Sequence, residues 1–438
     1  MKREEAISYL EGVNGKNIKL GLEQIQALME KINRPDEKLQ IIHIAGTNGK
    51  GSVSQFISRI LQQAGYTVGC FNSPYFQNPN ECVRINEEMI SDNELIGYMD
   101  RLEPSIKALR EANLGPSGFE VLTALAFWYF YEKKVDFVIL EVGLGGALDA
   151  TNVINQSLIS VLTKISVDHK DFLGDTLEAI ALQKAGIIKA NGLVVAPEQD
   201  EVVMKVINET CRHQGAVLEW MSPTRIKEVV VNEEGTTFEV EGMDYKLQMI
   251  GSHQAYNCAL ALKVVEVLRE RKAIEVTNEQ IQQGVYKAKW PGRWERMLTC
   301  PNVFIDGAHN VDGIKSLAQT MDQLKKDYNI GIVGILRDKE VDEMLSIICS
   351  RFDVLIVTTP HNPRAIVAEV LAEKIKQYPC EVYIDTDIQN ALEHALHLAK
   401  GQLETQIIGF GSLYMIGTLR HLLVQKQLEE AERLRKHK

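Results

Sequence analysis

The chain has 438 residues, of which 45% are hydrophobic and 24% charged, with 48 basic against 59 acidic residues and a formal net charge of −11. This composition is ordinary for a globular protein and excludes a disordered, collagen-like or coiled-coil chain. The acidic balance disfavours nucleic acid as a main partner, although it permits a local phosphate site made of backbone N–H groups. At this length we expect two domains.

The seven cysteines are scattered and include no CxxC pair. Such a set is typical of a reducing compartment and argues against a disulfide framework or a zinc knuckle. The first residues, Met1–Glu5, begin a charged helical pattern rather than a signal peptide. The longest apolar-rich stretch, residues 121–131, is shorter than the ~20 residues that cross a bilayer. We therefore expect a cytoplasmic protein with no membrane partner.

In chain order, the first half alternates helices and strands. A helical pattern at 4–32 is followed by a buried strand at 39–45, a helix at 52–64 and a strand at 66–71, which predict a βαβ unit. The later elements are a helix at 119–133, strands at 135–142 and 158–162, a helix at 176–187 and a strand at 192–196. Continuous apolar strands between helices predict a parallel sheet covered on both faces.

The second half begins with short alternating stretches at 226–250, which predict a small antiparallel patch, and a helix at 253–271. Lys289–Arg293 breaks the pattern with Pro and Gly, so we predict domains 1–292 and 293–438. Strands follow at 303–306, 330–335, 354–358, 381–384 and 406–410, with helices at 311–325, 340–350, 365–377, 388–399 and 412–423 and a charged helical tail at 426–438. The predicted fold class is α/β, with two doubly wound α/β domains, the second smaller and Rossmann-like.

The strongest motif, Gly46–Ser52, lies between a strand and a helix and reads GTNGKGS. Its glycines let several N–H groups face one point, the helix adds its positive end, and Lys50 adds a full charge, as a polyphosphate requires. The hydroxyl of Ser52 or Thr47 is within reach of a metal on the phosphates. Gly51 separates Lys50 from Ser52, so the loop departs from GxxxxGK[ST]. The alternative is an ordinary Gly-rich turn.

Polar residues also follow two other apolar strands of the first half. Glu141 opens the run Glu141–Gly146 at a strand's carboxyl end, where open parallel sheets bind ligands and where a carboxylate suits Mg²⁺. A turn or helix-start carboxylate is the alternative. Asp168-His169 follows another strand, and Lys184 lies among apolar and small residues. The local pattern alone favours structural roles for His169 and Lys184.

In the second half, Asp306–Asn310 (DGAHN) follows an apolar strand. The same argument predicts a ligand site there, and the alternative is a tight turn in which Asp and Asn cap the next helix. Arg293, beside the predicted boundary, is a cation suited to reach a nucleotide bound between two domains.

Together these motifs resemble the folylpolyglutamate synthase/dihydrofolate synthase family of the Mur-ligase superfamily. The resemblance covers nearly the whole chain, in family order: Gly46–Ser52, Ser73-Pro74, Glu141–Gly146, Leu148–Asn152, Asp168-His169, Lys184–Lys189, Trp290–Arg293, Asp306–Asn310 and Gly411–Tyr414. It implies a large P-loop-type ATP-binding domain and a smaller glutamate-side domain. It also implies an ATP-dependent ligase that converts a carboxylate to an acyl phosphate and joins it to L-glutamate. The acceptor is a folate or dihydropteroate, and family members are usually monomers.

The resemblance assigns roles to matching residues. The implied catalytic residues are Lys50, Lys184 and His309. The implied ATP-binding residues are Gly46, Thr47, Asn48, Gly49, Lys50, Gly51, Ser52, Asn257, Arg293 and Asp306. The implied ligands of two Mg²⁺ ions are Ser52, Ser73, Glu141, His169 and Lys184, the lysine as a carbamate. The implied substrate contacts are Phe119, Asp149, Ala150, His309 and Ser412.

One loop departs from the family pattern. Cys82 stands where the family has an arginine linked to substrate carboxylates, and a thiol cannot replace a bidentate cation. Arg84 substitutes only if the loop is rebuilt, and Ala147 stands where bifunctional members often have arginine. Two explanations compete: a folate enzyme with an altered loop, or a paralogous Mur-type ligase that joins an amino acid or amine to a non-folate carboxylate.

Two readings from other functional classes are disfavoured. An ATP-binding sensor should show erosion at Lys50, Glu141, His169 or Lys184, and none is seen. A nucleotide-dependent motor or GTPase would also use a phosphate loop, but it has no need of a second α/β domain that carries the DGAHN motif.

Overall fold

The computed structural model describes residues 3–11, 21–401 and 404–436. The chain divides into two compact units. Unit 1 comprises Met1–Lys227, Val240–Tyr245 and Tyr256–Ala288, and unit 2 comprises Glu228–Glu239, Lys246–Ala255 and Lys289–Lys438. The predicted α/β class with two doubly wound parts is confirmed. The domain boundary after residue 292 stays a prediction, and parts of the helical patterns at 4–32 and 426–438 lie outside the described residues.

Unit 1 is built on one eight-stranded sheet. Its strands are β1 (Ile41–Ala45), β2 (Val68–Phe71), β3 (Val83–Ile85), β4 (Glu88–Met89), β5 (Phe137–Glu141), β6 (Ile159–Leu162), β7 (Leu193–Pro197) and β8 (Val217–Met221). They lie in the order β4-β3-β2-β5-β1-β6-β7-β8. Strand β1 runs parallel to β5 and β6, while β3 and β4 form an antiparallel edge.

Helices precede, connect and follow these strands in the first two thirds of the chain. They are α1 (Arg3–Glu11), α2 (Glu23–Lys31), α3 (Lys50–Gln63), α4 (Asp92–Glu111), α5 (Gly118–Glu132), α6 (Lys170–Leu173), α7 (Leu177–Ala185), α8 (Glu201–Gln214), α9 (Ser252–Glu270) and α10 (Asn278–Lys287). Short 3₁₀ helices span Pro35–Lys38, Pro79–Cys82, Ala150–Val153 and Pro223–Arg225. Among the described helices of the whole chain, none is long and apolar enough to cross a bilayer.

A small sheet occupies the segment for which the sequence predicts an alternating patch. Its strands are β9 (Ile226–Asn232), β10 (Gly235–Val240) and β11 (Met243–Leu247), in the order β11-β10-β9.

Unit 2 is built on a six-stranded sheet in the order β12-β13-β17-β14-β15-β16. The strands are β12 (Glu295–Thr299), β13 (Asn302–Ile305), β14 (Tyr328–Val333), β15 (Val354–Val357), β16 (Glu381–Ile384) and β17 (Thr405–Phe410). The helices are α11 (Val311–Gln323), α12 (Val341–Ile348), α13 (Ala368–Ile375), α14 (Ile388–Leu398) and α15 (Leu413–Lys436), with a 3₁₀ turn at Cys349–Arg351. All pairs are parallel except β12 with β13.

The central strands are buried along their whole length. Every residue of β1 and of β5 is buried, which explains their continuous apolar runs. On α5 even long side chains such as Phe127 and Phe130 are fully enclosed. This packing fixes the carboxyl ends of β1, β2 and β5, which are neighbours in the sheet, and the candidate site residues follow those ends.

Candidate functional site

The phosphate-loop segment folds back on the segment that follows β6. The N–H groups of Thr47 and Asn48 donate to the Lys164 carbonyl at 2.9 and 3.3 Å. The Thr47 hydroxyl donates to the Ser166 carbonyl and accepts from the Ser166 N–H. Thr47 therefore fixes the loop to the segment after β6 by hydrogen bonds. The first four N–H groups of an α-helix lack intrahelical partners, so the donors suited to a phosphate come from the first turn of α3.

Two glycines of the loop have no room for a side chain. Gly46 has φ +153°, and a Cβ there would overlap the Thr163 hydroxyl. Gly49, the residue before α3, has φ +91°, and a Cβ would overlap the amide oxygen of Asn257 on α9. Asn257, which the resemblance assigns to the nucleotide, thus lies directly against the loop. Both glycines are required by close approach and by backbone conformation together.

Two lysine amines converge on one carbonyl of the loop. Nζ of Lys50 lies 3.1 Å and Nζ of Lys184 lies 2.9 Å from the Gly46 oxygen. Lys184 is buried at the end of α7, and burial, aided by the Lys50 charge, lowers the pKa of Lys184 to about 7. Burial therefore favours the uncharged, nucleophilic form of the Lys184 amine. The structure thus joins two residues that lie far apart in sequence.

Glu141 is held at the end of β5. In the register of the sheet it pairs with Ile44, just before the phosphate loop. Its Oε2 accepts a hydrogen bond from the Asn72 amide at 2.8 Å, and the same amide nitrogen donates to Ser54. Arg84 donates to the Asn72 oxygen at 2.8 Å. Asn72 and Arg84 therefore orient the carboxylate. This role was not predicted from the sequence.

The oxygen atoms near Glu141 suit a hard cation. Ser73 follows β2, which is the neighbour of β5, and its hydroxyl is buried with no hydrogen-bond partner among the described residues. Ser52, in the first turn of α3, is also buried. Hydroxyl and carboxylate oxygens are ligands that Mg²⁺ accepts together with water. Among the described residues, no group of three or more His, Cys, Asp or Glu is arranged to hold a metal ion. A metal here would therefore depend on serine oxygens beside Glu141.

His169 lies in the left-handed backbone region, with φ +53°, at the start of α6. Its N–H donates to Oδ1 of Asp168 at 2.8 Å, and its ring nitrogen Nε2 lies 3.9 Å from the other carboxylate oxygen. Asp168 is buried, whereas about a third of the His169 side chain is exposed. The buried carboxylate thus holds the backbone N–H of His169, while the imidazole stays accessible.

The turn Gly143–Gly146 packs against α7, the helix that carries Lys184. The Ala147 N–H donates to the Gln183 carbonyl at 2.8 Å. Asn152 donates to the carbonyls of Ala147 and Gly186 at 3.0 and 3.1 Å. A Cβ at Gly146 would lie 2.6 Å from the Gln183 oxygen. The run that begins at Glu141 and the helix of Lys184 therefore form one interlocked structure.

The predicted substrate contacts of unit 1 surround the same turn. Phe119, the second residue of α5, packs on Phe71 at 5.8 Å between ring centroids. A Cβ at Gly143 would lie 2.7 Å from the Phe119 ring and 3.3 Å from an Asp149 oxygen. Ala150 begins the 3₁₀ turn and is buried. The structure brings these predicted residues together near the carboxyl ends of β2 and β5.

In unit 2, Asp306 holds its own turn. Its carboxylate accepts from the N–H groups of Trp294 and Ala308, each at 2.8 Å. Burial raises the pKa of Asp306, and the nearby Arg293 guanidinium opposes that rise. Asn310 caps α11 by accepting from the Gly313 N–H. The capping alternative is therefore correct for Asn310, while Arg293 and Asp306 do lie together.

His309 and Ser412 lie on neighbouring loops of unit 2, because they follow the paired strands β13 and β17. The ring nitrogen Nδ1 of His309 lies 2.7 Å from the Gly307 carbonyl. Ser412 is buried, and its hydroxyl has no hydrogen-bond partner among the described residues. An unpartnered buried hydroxyl at the carboxyl end of a parallel sheet is a natural ligand contact.

The loop that departs from the family pattern places Cys82 in the protein interior. Cys82 is 1% exposed and packs among apolar side chains, and burial raises the pKa of its thiol far above the ordinary range. Arg84, two residues on, directs its guanidinium to Asn72 instead. Arg84, on β3, is therefore linked to Glu141 through Asn72, and Cys82 is a core residue.

The chain is similar to known protein families, proteins and solved structures. The Mur ligase middle domain matches residues 117–265, and the Mur ligase glutamate ligase domain matches residues 292–412. The chain is 37% identical over 435 residues to the dihydrofolate synthase/folylpolyglutamate synthase of Bacillus subtilis, covering 96% of this chain and 99% of that protein. It is 31% identical to the folylpolyglutamate synthase of Lacticaseibacillus casei, covering 92% and 94%.

Solved structures give the same result. Mycobacterium tuberculosis folylpolyglutamate synthase complexed with ADP and AMPPCP is similar with a TM-score of 0.87 and 31% identity, over 96% of this chain and 99% of that one. Escherichia coli FolC in complex with DHPP and ADP is similar with a TM-score of 0.84 and 26% identity, over 98% and 99%.

Proposed function

The chain belongs to the folylpolyglutamate synthase/dihydrofolate synthase family of Mur ligases, and we propose that it adds L-glutamate to a folate with conversion of ATP to ADP and phosphate. The observation that carries the proposal is the phosphate loop. Gly46 and Gly49 close against Thr163 and Asn257, and two lysine amines meet at one loop carbonyl. Relatives with the same architecture are complexed with ADP or with the ATP analogue AMPPCP.

The loop and its helix bind the triphosphate. The N–H groups of the first turn of α3 face the β- and γ-phosphates, and Lys50 leaves the Gly46 carbonyl for an outer phosphate oxygen. Asn48, Gly51 and Asn257 complete the cradle. The family resemblance also assigns nucleotide contacts to Arg293 and Asp306, whose charges lie close together in unit 2.

Ser52, Ser73 and Glu141 would hold one Mg²⁺ ion, and His169 with Lys184 a second. The buried, unpartnered Ser73 hydroxyl and the oriented Glu141 carboxylate support the first site. When bound, such ions neutralise charge on the transferring phosphoryl group. Asn72 orients Glu141, and Arg84 holds Asn72 in turn. Residues around a metal ligand usually make this contribution.

Lys184 would serve as an anionic ligand once its uncharged amine has added to carbon dioxide to give a carbamate, with release of one proton. Only the uncharged amine reacts, and burial supplies it by lowering the pKa of Lys184 to about 7. The Gly46 carbonyl holds the amine in place at 2.9 Å. The modification would also remove the repulsion between two cations at this carbonyl.

The reaction then proceeds in two steps. A carboxylate oxygen of the acceptor attacks the γ-phosphorus, the bond to the β-phosphate oxygen breaks, and ADP leaves. The amine of L-glutamate attacks the resulting acyl phosphate, and an amide forms as phosphate and a proton leave. His309 and Ser412 bind glutamate, while Phe119 and Ala150 contact the pterin end of the acceptor. The enzyme is monomeric in this proposal, as the family resemblance implies. It is also cytoplasmic, which the seven free cysteines support.

An ADP-release assay decides between this function and its alternative. Wild-type protein is supplied with ATP, Mg²⁺ and L-glutamate, together with tetrahydrofolate, dihydropteroate or one of a set of unrelated carboxylates. We expect ADP only when L-glutamate and a pteroyl acceptor are both present. Turnover with dihydropteroate would add dihydrofolate synthase activity to polyglutamylation. Turnover with another acid and none with any pteroyl compound would establish the paralogous ligase instead.

A further inference from the structure

His43 is an ionisable residue in the interior of an apolar strand. It lies in the middle of β1, near the phosphate loop, and is completely buried. Burial and the nearby Lys189 charge lower the pKa of His43 well below its ordinary value. No role assigned so far explains why a histidine occupies this position.

A chain of hydrogen bonds leads from His43 to the Gly-rich turn. Its Nε2 lies 3.0 Å from the Thr151 hydroxyl, and that hydroxyl donates to Oδ1 of Asp149 at 2.5 Å. The other oxygen, Oδ2, accepts from the Leu144 N–H at 2.8 Å. The side chains of His43, Thr151 and Asp149 are all buried. This series of hydrogen bonds thus ends on the turn that follows Glu141 and packs against α7.

The protons in this chain can be assigned by counting. A threonine hydroxyl has one hydrogen, and Thr151 gives it to Asp149. Thr151 must therefore accept from His43, which requires a hydrogen on Nε2. The other ring nitrogen, Nδ1, is buried and has no hydrogen-bond partner among the described residues, so a hydrogen there would be unsatisfied. The geometry selects the neutral Nε2–H tautomer.

The hydrogen bonds of Asp149 hold the Gly-rich turn. Its two oxygens receive the Thr151 hydroxyl and the N–H groups of Thr151 and Leu144. These three donors occupy most of the acceptor sites of a carboxylate, and the side chain is 5% exposed. The resemblance implies a substrate contact at Asp149, and the hydrogen bonds give its carboxylate a second role in holding the turn.

We propose that His43 and Thr151 are positioning residues that hold the Asp149 carboxylate on the Gly143–Gly146 turn, and so fix that turn between Glu141 and the helix of Lys184. The inference rests on the proposed function only for its kinetic readout. A turn displaced by a fraction of an ångström would move Glu141, which precedes it, and Ala147, which follows it. The Ala147 N–H is hydrogen-bonded to the Gln183 carbonyl beside Lys184, so the displacement would reach that lysine as well.

Paired substitutions test the chain. Thr151→Val removes the hydroxyl at nearly constant volume, and Thr151→Ser retains it. His43→Leu removes the ring donor, while His43→Gln retains an N–H donor near Nε2. Thr210→Val is the matched control, because the Thr210 hydroxyl donates only to a carbonyl of its own helix, at Val206. Each variant is measured for kcat, for KM of ATP and of the acceptor, and for Tm.

We expect Thr151→Val and His43→Leu to lower kcat about tenfold to a hundredfold, with KM for ATP little changed. Thr151→Ser and His43→Gln should recover most of this loss. Thr151→Val with a lowered Tm and an unchanged kcat would overturn the proposal, because it would show a purely structural role. Equal losses in Thr151→Ser and Thr151→Val would overturn it as well.

Two measurements need no turnover and so remain decisive if the proposed function fails. In protein labelled with ¹⁵N-histidine, the ring resonances of His43, identified by their loss in His43→Gln, should show a protonated Nε2 and a bare Nδ1. Amide exchange of Leu144 should be slow in wild type and faster in Thr151→Val. A protonated Nδ1, or a Leu144 amide with the same protection in both proteins, would contradict the proposal.

Discussion

Gly146→Ala tests whether the Gly-rich turn positions the helix of Lys184. The added Cβ would lie 2.6 Å from the Gln183 oxygen and 3.0 Å from the Lys184 oxygen. Ordinary contact begins at 3.4 Å, so the turn and α7 must separate by about 0.8 Å. The Lys184 amine now lies 2.9 Å from the Gly46 carbonyl, and a shift of that size lengthens this hydrogen bond beyond its normal range. Both neighbouring atoms are backbone, so no side-chain rotation relieves the clash.

The expected cost has two parts. Overpacking of this kind lowers the free energy of unfolding by about 1–3 kcal/mol. Displacement of Lys184 by nearly 1 Å should lower kcat by about a hundredfold. Stability is measured by urea unfolding, and activity by ADP release under saturating ATP, glutamate and acceptor.

Gly97→Ala is the matched control. Gly97 lies within α4, and a Cβ there meets no atom within 4 Å. Alanine in an exposed helix should raise the free energy of unfolding by about 0.4–1 kcal/mol and leave kcat unchanged. The reasoning is refuted if Gly146→Ala keeps kcat within twofold of the wild type, since the turn would then be free to move without consequence for Lys184.

Four further outcomes follow from the structure. Lys184→Ala should abolish activity that bicarbonate does not restore and short carboxylates partly restore; unchanged activity would exclude the carbamate. Asn72→Ala should raise the Mg²⁺ concentration for half-maximal rate about tenfold, because Glu141 loses its orienting amide, and an unaltered Mg²⁺ titration would contradict this. Cys82→Arg should lower stability by more than about 2 kcal/mol in urea unfolding, because it buries a charge among apolar side chains; unaltered stability would show that the loop opens. Glu132→Gln should cost at most about 1 kcal/mol at pH 7, because its ion pair with Arg101 is exposed. That pair lowers the pKa of Glu132 to about 2, so its contribution is present above pH 4.5 and is lost as pH falls towards 2; a loss independent of pH would exclude the ion pair as its source.

Periodicity predicted the central elements because burial dictates their sequences. The strand predicted at 39–45 and the helix at 52–64 correspond to β1 and α3, and the strand predicted at 381–384 is β16. The strands β3, β4 and β12, which lie at or beside a sheet edge, were not predicted, because each is partly exposed and lacks a continuous apolar run. Helices α4, α8 and α10 were also left unassigned, although Ser91 and Thr277 begin capping boxes that could have located two of them.

The site was predictable where chemistry is concentrated in a motif, and not where it depends on contacts across the chain. Gly46–Ser52, Glu141 and Asp306–Asn310 were found because polar residues follow apolar strands. Asn72 was not found, since a single amide in a buried segment resembles any satisfied core residue. The contact between Lys184 and Gly46 joins residues 138 positions apart, and no local pattern encodes it.

The central claim is that this chain activates a carboxylate through an acyl phosphate before glutamate attacks. Acceptor labelled with ¹⁸O in its reacting carboxylate tests it most directly, with phosphate and product analysed by mass spectrometry. We expect one ¹⁸O atom in each released phosphate. The product should be heavier than the acceptor by one glutamate residue, and its amount should equal the amount of ADP formed. Phosphate free of ¹⁸O, or ADP formed without amide, would contradict the account.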